Sequence, residues 1–88
     1  MITKDYMLLA PDGIHARPAT VLIRIIRAFR AEVRMKKGDR EVILTSMLHI
    51  LGLVPKGGDT ITITIEGEDE QPAFEAIDAF ITEQLSAS

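Results

Sequence analysis

At 88 residues and without a cysteine, the chain has room for one small domain over 1–88, and disulfide frameworks, thiolate metal sites and cysteine nucleophiles are excluded. No apolar run approaches the ~20 residues of a membrane span, and a net charge of −3 with only four aromatic residues argues against nucleic acid, so a soluble cytoplasmic protein without membrane insertion is expected. Charge is divided: residues 1–40 hold nine basic against four acidic side chains, a net of +5, and residues 41–88 hold one against nine, a net of −8, which suits steering of a charged partner.

In chain order, Ile2 to Leu9 reads as a first strand, ended by the turn signal Pro11-Asp12-Gly13. A helix is predicted from Ala16 to Phe29, where Leu22, Ile25, Ile26 and Phe29 recur at helical spacing beside Val21. Pro18 falls in its first turn, where a missing N–H costs nothing. Glu32 to Lys36 and Glu41 to Leu44 read as strands of a hairpin around Lys37-Gly38-Asp39-Arg40. Ser46 is placed to cap a short second helix reaching Leu53, and Val54-Pro55-Lys56-Gly57-Gly58 then breaks the chain. Thr60 to Glu66 alternates threonine and isoleucine, setting Ile61, Ile63 and Ile65 on one face of a strand. Asp69 is placed to cap a last helix, with Glu70 and Pro72 in its first turn. Ile77, Phe80 and Ile81 form that helix's apolar stripe, after Ala73 and Phe74. The order β-α-β-β-α-β-α predicts an α+β domain with helices on one face of a sheet and water on the other.

Chemistry concentrates in Gly13-Ile14-His15-Ala16-Arg17-Pro18-Ala19. The glycine permits a tight turn, the histidine stands at the N-cap or just before it, and arginine and proline follow within the first turn. A helix start presents unpaired N–H groups and partial positive charge, which together bind phosphate, so Ala16, Arg17 and Pro18 outline a cradle. Arg17 adds a guanidinium fork for phosphoryl oxygens. A nucleophile and an anion site thus converge within three residues. A metal- or hydrolase-type enzyme is a poor match. Two histidines without clustered carboxylates build no metal site, and no serine or cysteine stands beside a base. Neither a cofactor nor a metal is expected, and His49 reads as a surface helix residue.

Along its whole length the chain resembles the HPr family, the histidine phosphocarriers of the bacterial phosphoenolpyruvate:sugar phosphotransferase system. The segment around His15, Arg17 and Pro18 matches the family's active-site motif in every position. Thr45-Ser46-Met47-Leu48 is similar to its regulatory-serine segment, and Gly58-Asp59 with Glu66-Gly67-Glu68-Asp69-Glu70-Gln71 is similar to its last third. The chain departs from the family pattern at Thr45, His49, Gly52 and Val54. The resemblance implies an open-faced β-sandwich with a four-stranded antiparallel sheet in order 1-4-2-3 and three helices on one face. It implies a protein that is not an enzyme, a phosphoryl group received from enzyme I on His15 Nδ1, and its donation to sugar-specific enzyme IIA proteins. The alternative is an HPr-like regulatory paralogue, phosphorylated on Ser46 by an HPr kinase and bound by a transcription regulator. Such a paralogue has no need of a nucleophilic His15.

Two surfaces are expected to dock partners. At 100° per residue, Arg17, Thr20, Arg24 and Arg27 fall within about 80° of one another and form a basic stripe. The second helix is too apolar to bury every side chain. Ile50 and Leu53 suit its inner side, leaving Met47, Leu48 and Leu51 as an exposed patch. A phosphate on the capping Ser46 would put negative charge at the edge of that patch.

Overall fold

The computed structural model describes residues 1–10 and 13–85, so Pro11 and Asp12 of the expected turn lie outside the described residues. Its elements follow the expected order: β1 (Ile2–Met7), α1 (Ala16–Ile26), β2 (Glu32–Lys37), β3 (Arg40–Ile43), α2 (Met47–Gly52), β4 (Thr60–Glu66) and α3 (Glu70–Gln84). The strands form one antiparallel sheet in the order β1-β4-β2-β3.

Alternation decides which face is covered. Ile61, Ile63 and Ile65 of β4 are buried together with Tyr6 of β1 and Val33 and Met35 of β2. Register aligns the rows, with Tyr6 opposite Ile61 and Met35 opposite Ile63. The three helices close over this face with Ala19, Leu22, Ile23 and Ile26 of α1, Ile50 of α2, and Ala73, Ile77 and Ile81 of α3. The other face is polar: the Thr62 hydroxyl donates to Asp5 at 2.6 Å and Thr3 meets Thr64 at 3.4 Å.

Boundaries differ from the periodicity at several points. The first helix stops at Ile26 rather than Phe29. Ala28 and Phe29 donate to the carbonyls three residues back, at 3.1 Å each, which tightens and ends the last turn. Phe29 then packs from the turn and Ile25 is only partly buried, while Ile23 takes a core place. The Asp69 carboxylate does not cap its own helix. It accepts the amides of Arg30 and Ala31 at 2.8 Å each, binding the start of α3 to the entry of β2. The Glu70 carboxylate reaches back to accept the Gly67 N–H at 3.1 Å, closing the turn that leads into the helix. Gly67 is obligatory here, because a Cβ would stand 2.7 Å from the Ala31 Cα at φ +154°. The first strand ends at Met7, and Leu8 continues only through bonds with Asp59 and Gly58. In the hairpin β2 runs one residue further, to Lys37, and β3 lies one residue earlier, from Arg40 to Ile43, so its turn is Gly38-Asp39.

Helix α2 ends in an unusual way. Leu53 is its C-cap and Val54 adopts φ +52°, the left-handed position that normally takes glycine. The Val54 N–H donates to the Leu51 carbonyl at 3.0 Å, but Pro55 has no N–H for the second bond of the usual motif. Lys37 compensates from β2: its ammonium donates to the Leu53 carbonyl at 3.2 Å and the Val54 carbonyl at 2.8 Å. A β-branched residue in this conformation is strained. Val54→Gly should relieve about 1–2 kcal/mol of left-handed strain, offset in part by the ~0.5–1 kcal/mol entropy cost of glycine. The melting temperature should therefore rise by a few degrees, checked by calorimetry.

Helix α3 is fastened to β1 by Asp78, which accepts from Lys4 Nζ at 2.8 Å and from the Tyr6 hydroxyl at 2.7 Å. The Lys4 bond holds the Asp78 carboxyl below its usual range; burial opposes it, and the Tyr6 bond adds a lowering smaller than either. Asp59 is likewise lowered, first by the Lys56 backbone N–H and then by Lys37. Each binds its proton less tightly folded than unfolded. Their stabilisation is therefore present above the ordinary carboxylate range and lost as pH falls through the lowered folded values. Urea midpoints should fall below about pH 4, and Asp78→Asn should lower the neutral midpoint and flatten that acid limb.

Candidate functional site

His15 is the N-cap of α1, with extended backbone (φ −100°, ψ −174°) and its carbonyl accepting the Ala19 N–H at 3.1 Å. Its side chain is exposed and makes no capping bond, so the imidazole projects from the helix start rather than closing it. The backbone before it is held firmly. Gly13 sits at φ +61° and donates to the Ala10 carbonyl at 2.8 Å, and Ile14 is buried and donates to the Pro55 carbonyl at 3.3 Å. A Cβ on Gly13 would lie 2.0 Å from that same Pro55 oxygen. Only glycine fits, both for conformation and for space.

Of the three expected cradle residues, Ala16 and Arg17 offer amides without an intrahelical partner. Pro18 has none to offer and instead sets the helical φ. No acidic side chain stands in this first turn, and Arg17 is exposed with no ion pair to another described residue. His15, Arg17, Pro18 and Val21 form one side of a shallow cleft of about 290 Å³. Phe80, Gln84 and Leu85 from the end of α3 form the other side. These three were not among the expected site residues. They come from the far end of the chain, and no local motif marks them. The link is made by backbone, since the Leu85 carbonyl accepts the Leu9 N–H at 2.9 Å.

A second groove, about 300 Å³, joins the two expected docking surfaces. Thr20, Arg24 and Arg27 of α1 line it with Ser46 and Met47. The Thr20 hydroxyl donates to the Met47 sulfur at 3.1 Å, and Arg27 donates to the Thr45 carbonyl at 3.3 Å. Leu48 is 69% exposed and Met47 36%. Leu51 does not share their patch. It is partly buried against the core, because the six-residue α2 rests on both α1 and β3 and only its outer edge stays open. Ser46 holds the N-cap position of α2 without making a side-chain cap, so its hydroxyl is left in the groove. His49 is exposed and its Nδ1 lies 3.1 Å from the Thr45 hydroxyl. Among the described residues no group of three His, Cys, Asp or Glu side chains could hold a metal ion, and no helix is long and apolar enough to cross a membrane.

The family model described as the PTS HPr component phosphorylation site matches residues 2–83. The chain is 37% identical over 83 residues to the phosphocarrier protein HPr of Lysinibacillus sphaericus, covering 94% of each. It is 33% identical over 84 residues to the HPr-like protein Crh of Halalkalibacterium halodurans, covering 96% of this chain and 100% of that one. A solved mycoplasma histidine-containing phosphocarrier protein superposes with a TM-score of 0.93 at 25% identity, over 99% of this chain and 100% of that one. Sheet order and helix placement agree with these matches, and the chain belongs to the HPr family of phosphocarrier proteins of the phosphotransferase system.

Proposed function

We propose that this chain accepts a phosphoryl group from enzyme I on His15 and donates it to sugar-specific enzyme IIA proteins in the cytoplasm. The observation that carries the reading is the exposed His15 side chain, which makes no capping bond at a helix start whose first turn lacks any acidic residue. In the transfer, a ring nitrogen, Nδ1 by family resemblance, attacks the phosphorus as the bond to the donor breaks, so the phosphoryl group moves without water. The amides of Ala16 and Arg17 and the Arg17 guanidinium face the oxygens of the arriving group. Onward transfer is the same step reversed toward an acceptor. Catalytic groups beyond these belong to the partner proteins, so the chain is a carrier and not an enzyme.

Docking falls to the groove beside this site. Thr20, Arg24 and Arg27 supply a basic rim and Met47 with Leu48 an adaptable apolar edge, suited to an acidic partner surface with an apolar centre. A regulatory reading, in which an HPr kinase modifies Ser46 and a transcription regulator binds the product, draws support from the position of Ser46 in this basic groove and from the similarity to Crh. The intact His15 site favours the carrier reading. The two are compatible if phosphate on Ser46 neutralises the rim.

Incubation with enzyme I and phosphoenolpyruvate should place acid-labile phosphate on His15. His15→Ala should abolish labelling at an unchanged melting temperature; label that persists or moves to His49 refutes the assignment. Arg17→Ala should slow transfer by roughly tenfold to a hundredfold, in the range for losing one charge-stabilising donor. Charge reversal at Arg24 and Arg27, or Ser46→Asp, should weaken association with enzyme I and flatten its salt dependence. Equal affinity at low salt would exclude the groove as the docking site.

A further inference from the structure

We infer that Lys37 is a positioning residue for His15, acting through the loop 53–59. Lys37 lies at the end of β2 and is not among the residues lining the His15 cleft. Its ammonium gathers three acceptors from that loop: the Leu53 carbonyl at 3.2 Å, the Val54 carbonyl at 2.8 Å and the Asp59 carboxylate at 3.1 Å. The same carboxylate accepts the Lys56 N–H at 2.8 Å, so both ends of the loop are tied to one cation. Between those ends stands Pro55, and its carbonyl bears on the backbone just before His15. It accepts the Ile14 N–H at 3.3 Å and fills the space where any side chain on residue 13 would go.

The lysine is needed because the loop resists its own shape. Val54, immediately before Pro55, is held at φ +52°, where a β-branched residue does not rest willingly. Pro55 cannot donate the second bond that would close the end of α2. Two lysine bonds to the flanking carbonyls replace that closure. Without them the peptide at Val54 is free to relax toward negative φ, and the Pro55 carbonyl turns with it. Ile14 then loses its acceptor, and the start of α1 loses the stop that sets where His15 stands. Lys37 touches neither the phosphoryl group nor the imidazole; it fixes the backbone that aims the ring.

This inference rests on the reading of His15 as the phosphoryl acceptor, and its mechanical part can be measured apart from that reading. Lys37→Met keeps the aliphatic stem and removes every donor. In that variant the Ile14 amide should exchange with deuterium at least tenfold faster than in the parent, while amides at the centre of β4 keep their protection. Adding Val54→Gly, which adopts the left-handed conformation without strain, should restore slow exchange at Ile14, as should Lys37→Arg. With enzyme I as donor, Lys37→Met should lower kcat for transfer by roughly tenfold, within the hundredfold that a 1 Å misplacement can cost. KM should stay the same, because the α1–α2 groove is untouched. Lys36→Met, one residue away on the opposite face of the sheet, is the control and should match the parent. A general loss of stability would instead speed exchange at the centre of β4 as well as at Ile14, and would not separate kcat from KM. Unchanged Ile14 exchange in a folded Lys37→Met protein, or an unchanged kcat beside a labelled parent, overturns the role of Lys37. A parent that takes no label overturns the phosphocarrier reading instead, whatever Ile14 does.

Discussion

Burial of one face of β4 is the constraint on which the other elements depend. This strand pairs with β1 on one side and β2 on the other, so its three buried isoleucines lie in the middle of the covered face. A slip of one residue would turn Ile61, Ile63 and Ile65 to water and three threonines inward. Each fully buried side chain of this kind is worth roughly 1.5–3 kcal/mol, so the register has no close competitor. With β4 fixed, β1 and β2 are fixed by their pairing with it. The helices then have one apolar face to cover. The position of α1, and with it His15, is a consequence of that covering.

The divided charge of the chain acquires a place in this architecture. Arg17, Arg24 and Arg27 stand exposed along α1, whose N-terminus opens on the cleft and whose flank borders the α1–α2 groove. The three aspartates of the second half serve as internal ties. Asp59 holds the loop before β4, Asp69 holds the entry to β2, and Asp78 holds β1 to α3. The carboxylates are therefore partly engaged in the fold, while the arginines remain available for contact with other molecules. The sign of the exposed α1 flank follows from this division of labour more than from the net charge of −3.

Much of the fold was legible because the signals were local and periodic. The isoleucines of β4, the glycine turn between β2 and β3, and the helix beginning at Ala16 could all be read from neighbouring residues. The candidate site is equally local, since Gly13, His15, Arg17 and Pro18 lie within six positions. What escaped depends on residues distant in sequence. The early end of α1 is followed by capture of the next amides by Asp69, 39 residues ahead of Arg30. Leu51 falls outside the expected patch because the apolar content of α2 says nothing of α1 and β3 closing around it. Phe80, Gln84 and Leu85 joined the cleft only when α3 was laid against the end of β1. Lys37 reads in the sequence as one more turn lysine, and its use by the loop of Leu53 and Val54 is a product of tertiary structure alone.

The His15 cradle is sparse, and that sparseness suits a carrier. Pro18 removes one amide that a full helix start would present, leaving Ala16 and Arg17. Arg17 is exposed, where solvent screens its attraction for a phosphoryl group. A helix terminus contributes ~0.3–1 kcal/mol to a nearby anion under such conditions, less than the 1.4 kcal/mol of a single decade in affinity. A deeper cage with several buried donors would stabilise the phosphorylated form and hold the group against its next acceptor. On the proposed reading, the chain must take the group from one protein and surrender it to another, so neither state can be strongly preferred. Donors supplied by the partner during contact stabilise the transition state without deepening the resting state. The rigid part of the site is therefore the backbone behind the histidine, where Gly13, Ile14 and Pro55 leave little freedom, and the weakly binding part is the surface in front of it.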